Sequence, residues 1–187
     1  EFIVAEADES DRSFLYLSPY ISVLTNLDKE HLDHYKTIDE IKKAFINFAN
    51  KVPFYCPVVL CLDDTNLQSL IPQLERRLIT YGFSAQADIF AREQQFNKFS
   101  STSTLYFKNK KLGNLKLKVP GVHNIYNAMA AVAVGLDLGI PILTTLHALE
   151  IYQGTGRRFE LKKRINNIMI IEDYAHHPTE IIATLDA

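Results

Sequence analysis

Cysteine is scarce in this chain: Cys56 and Cys61 are its two thiols among 187 residues. Two such residues make no disulfide framework, and the pair lacks zinc-ligand spacing. Reduced thiols in a cytosolic protein are therefore expected, with Cys61 packed in a strand. A basic surplus is also missing. The net charge is −2 and no basic face is clustered, which gives no nucleic-acid footprint. No apolar run approaches the roughly 18 residues that span a bilayer, so no membrane insertion is expected. The N-terminus has no basic stretch followed by a long apolar core, as a signal peptide would. There is no internal repeat and no low-complexity tract. An initiator Met is absent too: Glu1 opens directly into an apolar run, and I-I-A-T-L-D-A stops inside a helical pattern. An internal fragment of a longer protein is the expectation.

What is present is ordinary for a globular domain, at 47% hydrophobic and 22% charged residues. A chain of this length can bury roughly 70% of its unfolded surface in one or two domains. Residues 2–5 and 20–24 read as short buried strands, with a helical turn or loop at 10–18 anchored by Phe14 and Leu15. From Ile38 to Ala49 the apolar period becomes helical, with Thr37 as N-cap and Glu40 completing a capping box. Residues 58–62 form a β-branched run that ends in Asp63 and Asp64; 66–76 read as helix and 78–81 as strand. That alternation predicts an α/β fold with a mostly parallel sheet flanked by helices. Residues 87–92, 102–108 and 115–119 alternate apolar and polar side chains around a hairpin signal, N-K-K-L-G, so antiparallel strands are added. An alanine-rich helix follows at 123–138, then Gly139, and a second helix from Pro141 through 149. G-T-G-R-R at 154–158 is the best linker candidate. Beyond it, 159–163 and 168–171 read as strands and a helix starts near Pro178.

Several polar clusters sit at ends of these elements. T-N-L-D-K-E-H-L-D-H-Y at 25–35 places Asp28, Glu30, His31, Asp33 and His34 after an apolar run. The carboxyl ends of strands are where open α/β sheets bind ligands, so a cation site serving a phosphate ligand is one reading. Capping or surface duty is the other. By ligand type alone, a mixture of His and carboxylate suits Zn or Mn better than Mg. Earlier, E-A-D-E-S-D at 6–11 follows the first apolar run; Asp8, Glu9 and Asp11 read as solvated, whereas Glu6 would end a buried strand and need a partner or a metal. His123 and Asn124 follow Pro-Gly, with Asn127 one turn on. Asn124 either caps the helix or, with the helix N-terminus, holds an anion or a base edge. G-T-G-R-R lacks the Lys-Ser/Thr of a Walker loop and follows a helix, which excludes a phosphate loop there. Arg157 and Arg158 could still clamp a phosphate. E-D-Y-A-H-H-P at 172–178 again ends a strand with acids and histidines.

Taken in order, E-A-D-E-S-D, T-N-L-D-K-E-H-L-D-H-Y, P-G-V-H-N-I-Y-N-A, G-T-G-R-R-F-E and D-Y-A-H-H-P-T-E resemble the ATP-dependent Mur ligase family across the whole chain. The resemblance implies most of a central ATP-binding domain at 1–156, lacking its phosphate-loop part, and the opening strands and helix of a Rossmann-like, amino-acid-ligating C-terminal domain at 157–187. It implies ATP and Mg²⁺ as cofactors. UDP-N-acetylmuramate and L-alanine would be the substrates, joined through an acyl phosphate. By resemblance, Glu6 and His31 are metal ligands; His123, Asn124 and Asn127 lie near the adenine; Arg158 reaches the nucleotide phosphates with Asp173 beside it; Tyr174 and His176 face the substrate. Arg158, Asp173 and His176 are the expected catalytic residues. Two departures stand out. The family's Gly-Lys-Thr/Ser loop is absent, so these residues alone are expected to be inactive. The carbamylated lysine of several family members is also not expected, since Ala44, Phe45 and Ile46 occupy its region and Lys42 and Lys43 read as a solvated face. A ligase that attaches a tripeptide to the same sugar, a metal-dependent phosphohydrolase and a non-catalytic nucleotide-binding module are the alternatives.

Overall fold

The computed structural model describes residues 2–29 and 34–187. Two compact units divide the chain, Glu1–Ala87 and Asp88–Ala187.

In the first unit, β1 (Ser22–Leu24), β2 (Pro57–Cys61) and β3 (Arg77–Gly82) form a parallel sheet with Val23 opposite Val59 and Val59 opposite Ile79. Every residue of β2 is buried, as expected of a β-branched run in a parallel sheet covered on both faces. Helix α1 (Ile38–Ala49) runs as the periodicity predicts and buries Ile41, Ala44, Phe45, Phe48 and Ala49. Its cap is built from both sides. Thr37 Oγ1 accepts from Glu40 N at 3.3 Å, while Glu40 Oε2 accepts from Lys36 N at 3.1 Å, one residue before the cap. Phe14, from a 3₁₀ turn at Ser13–Tyr16, packs its ring 5.0 Å from Phe48 and 5.8 Å from Phe45.

Two expectations are overturned here. Residues 2–5 form no strand: Phe2, Ile3 and Val4 are 63%, 94% and 98% exposed. Apolarity alone does not make a strand where no neighbour supplies ladder partners. Residues 66–76 are not one helix either. Helix α2 (Thr65–Gln68) stops after one turn, and a 3₁₀ turn containing Pro72 follows at Ile71–Gln73. Proline removes a backbone donor and crowds the preceding turn, so the helix cannot continue through it. The backbone carbonyls nearby are taken up by Arg76, whose Nε and Nη2 donate to Val52 O and Asn50 O, both at 2.6 Å.

The second unit opens with the antiparallel strands β4 (Ile89–Asn97), β5 (Ser100–Phe107) and β6 (Lys110–Leu117), as the alternation predicts. Lys108 and Asn109, with φ of 46° and 65°, make the tight turn between β5 and β6. Two left-handed residues match the strand twist at a two-residue hairpin. Helix α3 (Val122–Asp137) packs on β4 and β5, burying Ile125, Ala128, Met129, Val132 and Ala133. Its Gly135 leaves room for Thr145 of α4 (Ile142–Ile151), where a Cβ would lie 3.0 Å from the hydroxyl. A hairpin, β7 (Glu160–Ile165) and β8 (Ile168–Glu172), and helix α5 (Pro178–Asp186) complete this unit. The α/β fold, with parallel and added antiparallel strands, is thus as the sequence predicts. Among the described residues no helix is long and apolar enough to cross a membrane.

Phe14 is the plug of the first unit's aromatic cluster. Phe14→Ala is expected to lower stability by about 3–5 kcal/mol, read by equilibrium urea denaturation.

Candidate functional site

The acidic stretch ends in a turn, in which Arg12 N donates to Glu9 O at 3.1 Å. Asp8 Oδ1 accepts from Ser10 N and Asp11 Oδ1 from Ser13 N, each at 2.8 Å. Hydrogen bonds from the Ser13 side chain and backbone hold the Asp11 carboxyl below its ordinary value. Glu6 is exposed and lies in no helix or strand, so the premise of a buried carboxylate that needs a cation does not hold. His31, with Glu30 and Asp33, lies outside the described residues. Asp28 Oδ1 accepts from Lys29 N at 2.7 Å. Among the described residues no group of three His, Cys, Asp or Glu side chains is placed to hold a metal ion. They do not by themselves form the expected metal centre.

Two residues not singled out in the sequence tie this region together. Tyr35 is fully buried; its hydroxyl donates to Glu9 O at 2.9 Å, and burial raises its phenol pKa. The Arg12 guanidinium lies 4.6 Å over the Tyr35 ring, donates to His34 O at 2.7 Å and pairs with Glu40 at 3.3 Å. The acids ending β2 serve local structure. Asp64 accepts from Leu67 N as the cap of α2 and from Leu27 N, while Asp63 accepts from Phe83 N and Ser84 N.

In the second unit the structure brings most of the expected site residues together. Gly121, at φ 92°, turns the chain into α3; a Cβ there would lie 2.5 Å from the His123 ring. Asn124 Nδ2 donates to Pro120 O at 2.6 Å and meets His123 Nε2 at 3.1 Å. Asn127 is exposed on the next turn. Burial holds the His123 pKa below the ordinary 6.5; the Asp173 charge works against this and the Arg158 charge reinforces it. Asp173 is fixed from several directions. Its Oδ1 accepts from Ala175 N and its Oδ2 from Phe159 N, both at 2.8 Å. Desolvation alone would raise its pKa. Those two backbone bonds, a bond from Thr184 and the Arg158 charge outweigh it and hold the carboxyl below its ordinary value.

Around this carboxylate the linker folds back on the end of β8. Tyr174 N donates to Arg157 O at 2.8 Å. The half-exposed Tyr174 ring lies 4.8 Å from the Arg157 guanidinium and 5.6 Å from that of Arg158, with the His176 ring edge-on at 5.3 Å. Cationic planes over an aromatic face are mutually attractive. Arg157 pairs with Glu172 at 3.6 Å and Arg158 with Glu180 at 3.7 Å. Glu180 was not singled out from the sequence. Its signal was local: Pro178 opens α5, and an acid two residues later is at the position that returns to the cap.

Such an arrangement presents guanidinium charge, a neutral imidazole and a helix N-terminus together, which suits a phosphate-bearing ligand. Residues 1–135 match the model of the Mur ligase middle domain. The chain belongs to the Mur ligase family. The UDP-N-acetylmuramate–L-alanine ligase of Solibacter usitatus is 50% identical over 186 residues, covering all of this chain and 39% of that protein. The enzyme of the same name from Desulfatibacillum aliphaticivorans is 50% identical over 187 residues, covering 41% of its length. Among solved structures, the UDP-N-acetylmuramate–alanine ligase MurC of Thermotoga maritima superposes with a TM-score of 0.81 at 30% identity, covering 96% of this chain and 40% of that one. MurF of Acinetobacter baumannii, at 23% identity and a TM-score of 0.80 over 90% of this chain and 37% of its own, shares the fold. This chain thus spans about 40% of the length of the curated relatives it matches.

His123 gives a pH signature. Its folded pKa lies below the unfolded value, so the unfolded chain takes up the proton first. Its contribution to stability is complete above the ordinary 6.5 and falls as pH drops through the folded pKa. Urea midpoints measured at about pH 7.5 and about pH 5.5 are expected to differ less in His123→Asn than in the parent.

Proposed function

We propose that the protein carrying this chain is an ATP-dependent ligase of the cytoplasm that joins L-alanine to the carboxylate of UDP-N-acetylmuramate in peptidoglycan precursor synthesis. The observation that carries this reading is identity of 48–50% over the whole chain to relatives bearing that activity in their name. The cluster of His123, Asn124, Arg158 and Asp173 supports it. A central ATP-binding domain ends at 156 and the amino-acid-ligating domain begins at 157, so Arg158 and Asp173 belong to the junction between functional parts.

The chemistry divides into two displacements. A carboxylate oxygen of the sugar attacks the γ-phosphorus, the bond from that phosphorus to ADP breaks, and an acyl phosphate forms. The deprotonated amine of alanine then attacks the acyl carbon, inorganic phosphate leaves, and the nitrogen gives up its remaining extra proton. Both steps concentrate negative charge, which a fixed guanidinium stabilises most where water is excluded. Arg158 is assigned to the phosphates. Asp173 holds the backbone at Phe159 and Ala175 that carries Arg158 and Tyr174. Asn124 Nδ2 is engaged by Pro120 O and His123, which leaves its carbonyl oxygen for the adenine amino group, with Asn127 one turn away. Tyr174 and His176, exposed beside Arg157, are assigned to the substrate side. Mg²⁺ is assigned to Glu6 and His31 on the resemblance alone and would neutralise phosphate charge when bound.

The full-length protein, given UDP-N-acetylmuramate, ATP and Mg²⁺ with alanine, serine, glycine and a tripeptide in competition, is expected to release phosphate with alanine preferred. Preference for the tripeptide would overturn the choice of acceptor, and phosphate release without an amine would make the protein a hydrolase. The 187 residues alone are expected to show no turnover. For the metal, His31→Ala in the full-length protein is expected to lose more Mg²⁺-dependent activity than His34→Ala; equal losses would reject the assignment.

A further inference from the structure

Each arginine of the linker faces a carboxylate. The Arg157 guanidinium Nε lies 3.6 Å from Glu172 Oε1, while the Arg157 backbone N–H donates to Glu160 Oε2 at 2.8 Å. Among the described residues Arg158 has one carboxylate partner in ion-pair range, Glu180, with Nη1 3.7 Å from Oε1. That distance gives Coulomb attraction without a hydrogen bond, because donor–acceptor contacts beyond about 3.5 Å make none. The five N–H donors of the guanidinium thus stay available to an anion while the group as a whole is drawn to one place.

Glu180 can do this because it is itself held. Its Oε2 accepts from His176 N at 3.1 Å and His177 N at 3.3 Å, closing the first turn of α5, and His176 Nδ1 lies 3.5 Å away. One oxygen caps the helix; the other faces Arg158. The Arg158 guanidinium carbon also lies 5.6 Å from the centre of the Tyr174 ring.

We propose that Glu180 is the positioning residue for Arg158: a carboxylate locked by the cap of α5 aims the guanidinium without occupying its donors. This rests on the assignment of Arg158 to the nucleotide phosphates. The test uses the full-length enzyme. Glu180→Gln keeps an oxygen for the helix cap and removes the charge that aims Arg158, whereas Glu180→Ala removes both. Glu180→Gln is expected to melt at the parent's temperature and to lose about fivefold in kcat/KM for ATP, chiefly through KM, with the loss shrinking as salt is raised. In an Arg158→Ala background the same change is expected to have no further effect, since the residue acts through Arg158. A full additive loss in that background, a melting temperature lowered as far as in Glu180→Ala, or unchanged kcat/KM in Glu180→Gln while Arg158→Ala is impaired would each overturn the inference. Unchanged kinetics of Arg158→Ala would instead reject the phosphate assignment, and this inference with it.

Discussion

The carboxylate of Asp173 is the constraint on which the candidate site depends. It directly follows β8, yet it closes a loop that begins at the far side of the linker by accepting from Phe159 N as well as Ala175 N. Without it the backbone N–H groups of Phe159 and Ala175 would lose the acceptor they share. Arg158 and Tyr174 are each next to a backbone donor that this group holds. Its ionised form is favoured by the bonds it accepts, so the anchor keeps its charge through the neutral range. In this arrangement Asp173 shapes the candidate site through the backbone that it fixes.

The sequence made the long elements legible where local and global preferences agree. Helix α1 begins at Ile38 after Thr37 because cap, charge and apolar period coincide there. Helix α3 follows Pro120-Gly121 for a similar reason, since a left-handed glycine and a small-residue face both serve close packing. Failures came where one signal stood alone. Residues 2–5 are apolar but have no partner strand among the described residues, and 66–76 carry a helical period that Pro72 interrupts. The burial of Glu6 was inferred from that missing strand and fell with it.

Site residues divide along the same line. His123, Asn124, Arg158 and Asp173 were visible because their order along the chain is informative even though no one of them is. The groups that hold them were less visible. Tyr35, Arg12 and Glu180 act through ring faces, backbone carbonyls and helix caps, contacts that join segments distant in the sequence or depend on which of two oxygens is engaged. Composition and spacing carry no record of such geometry. The acids at Asp8, Asp11, Asp63 and Asp64 accept from backbone N–H groups, Asp8, Asp11 and Asp64 within their own turns and Asp63 from Phe83.

Arg158 stands between two residues of unusual handedness. Arg157 has φ 60° and Phe159 φ 46°, both in the region that disfavours a side chain. Each such residue costs on the order of 1 kcal/mol, recovered here through the bond from Phe159 N to Asp173 and the contacts of the Phe159 ring with Phe99. The stretch named as a linker is therefore an elbow set in one shape. Substitution by glycine at 157 or 159 would relieve the backbone and at the same time widen the range of directions open to the arginine between them. At these two positions greater local comfort and a well-aimed charge are opposed, and a chain improved for stability alone would drift toward a looser site.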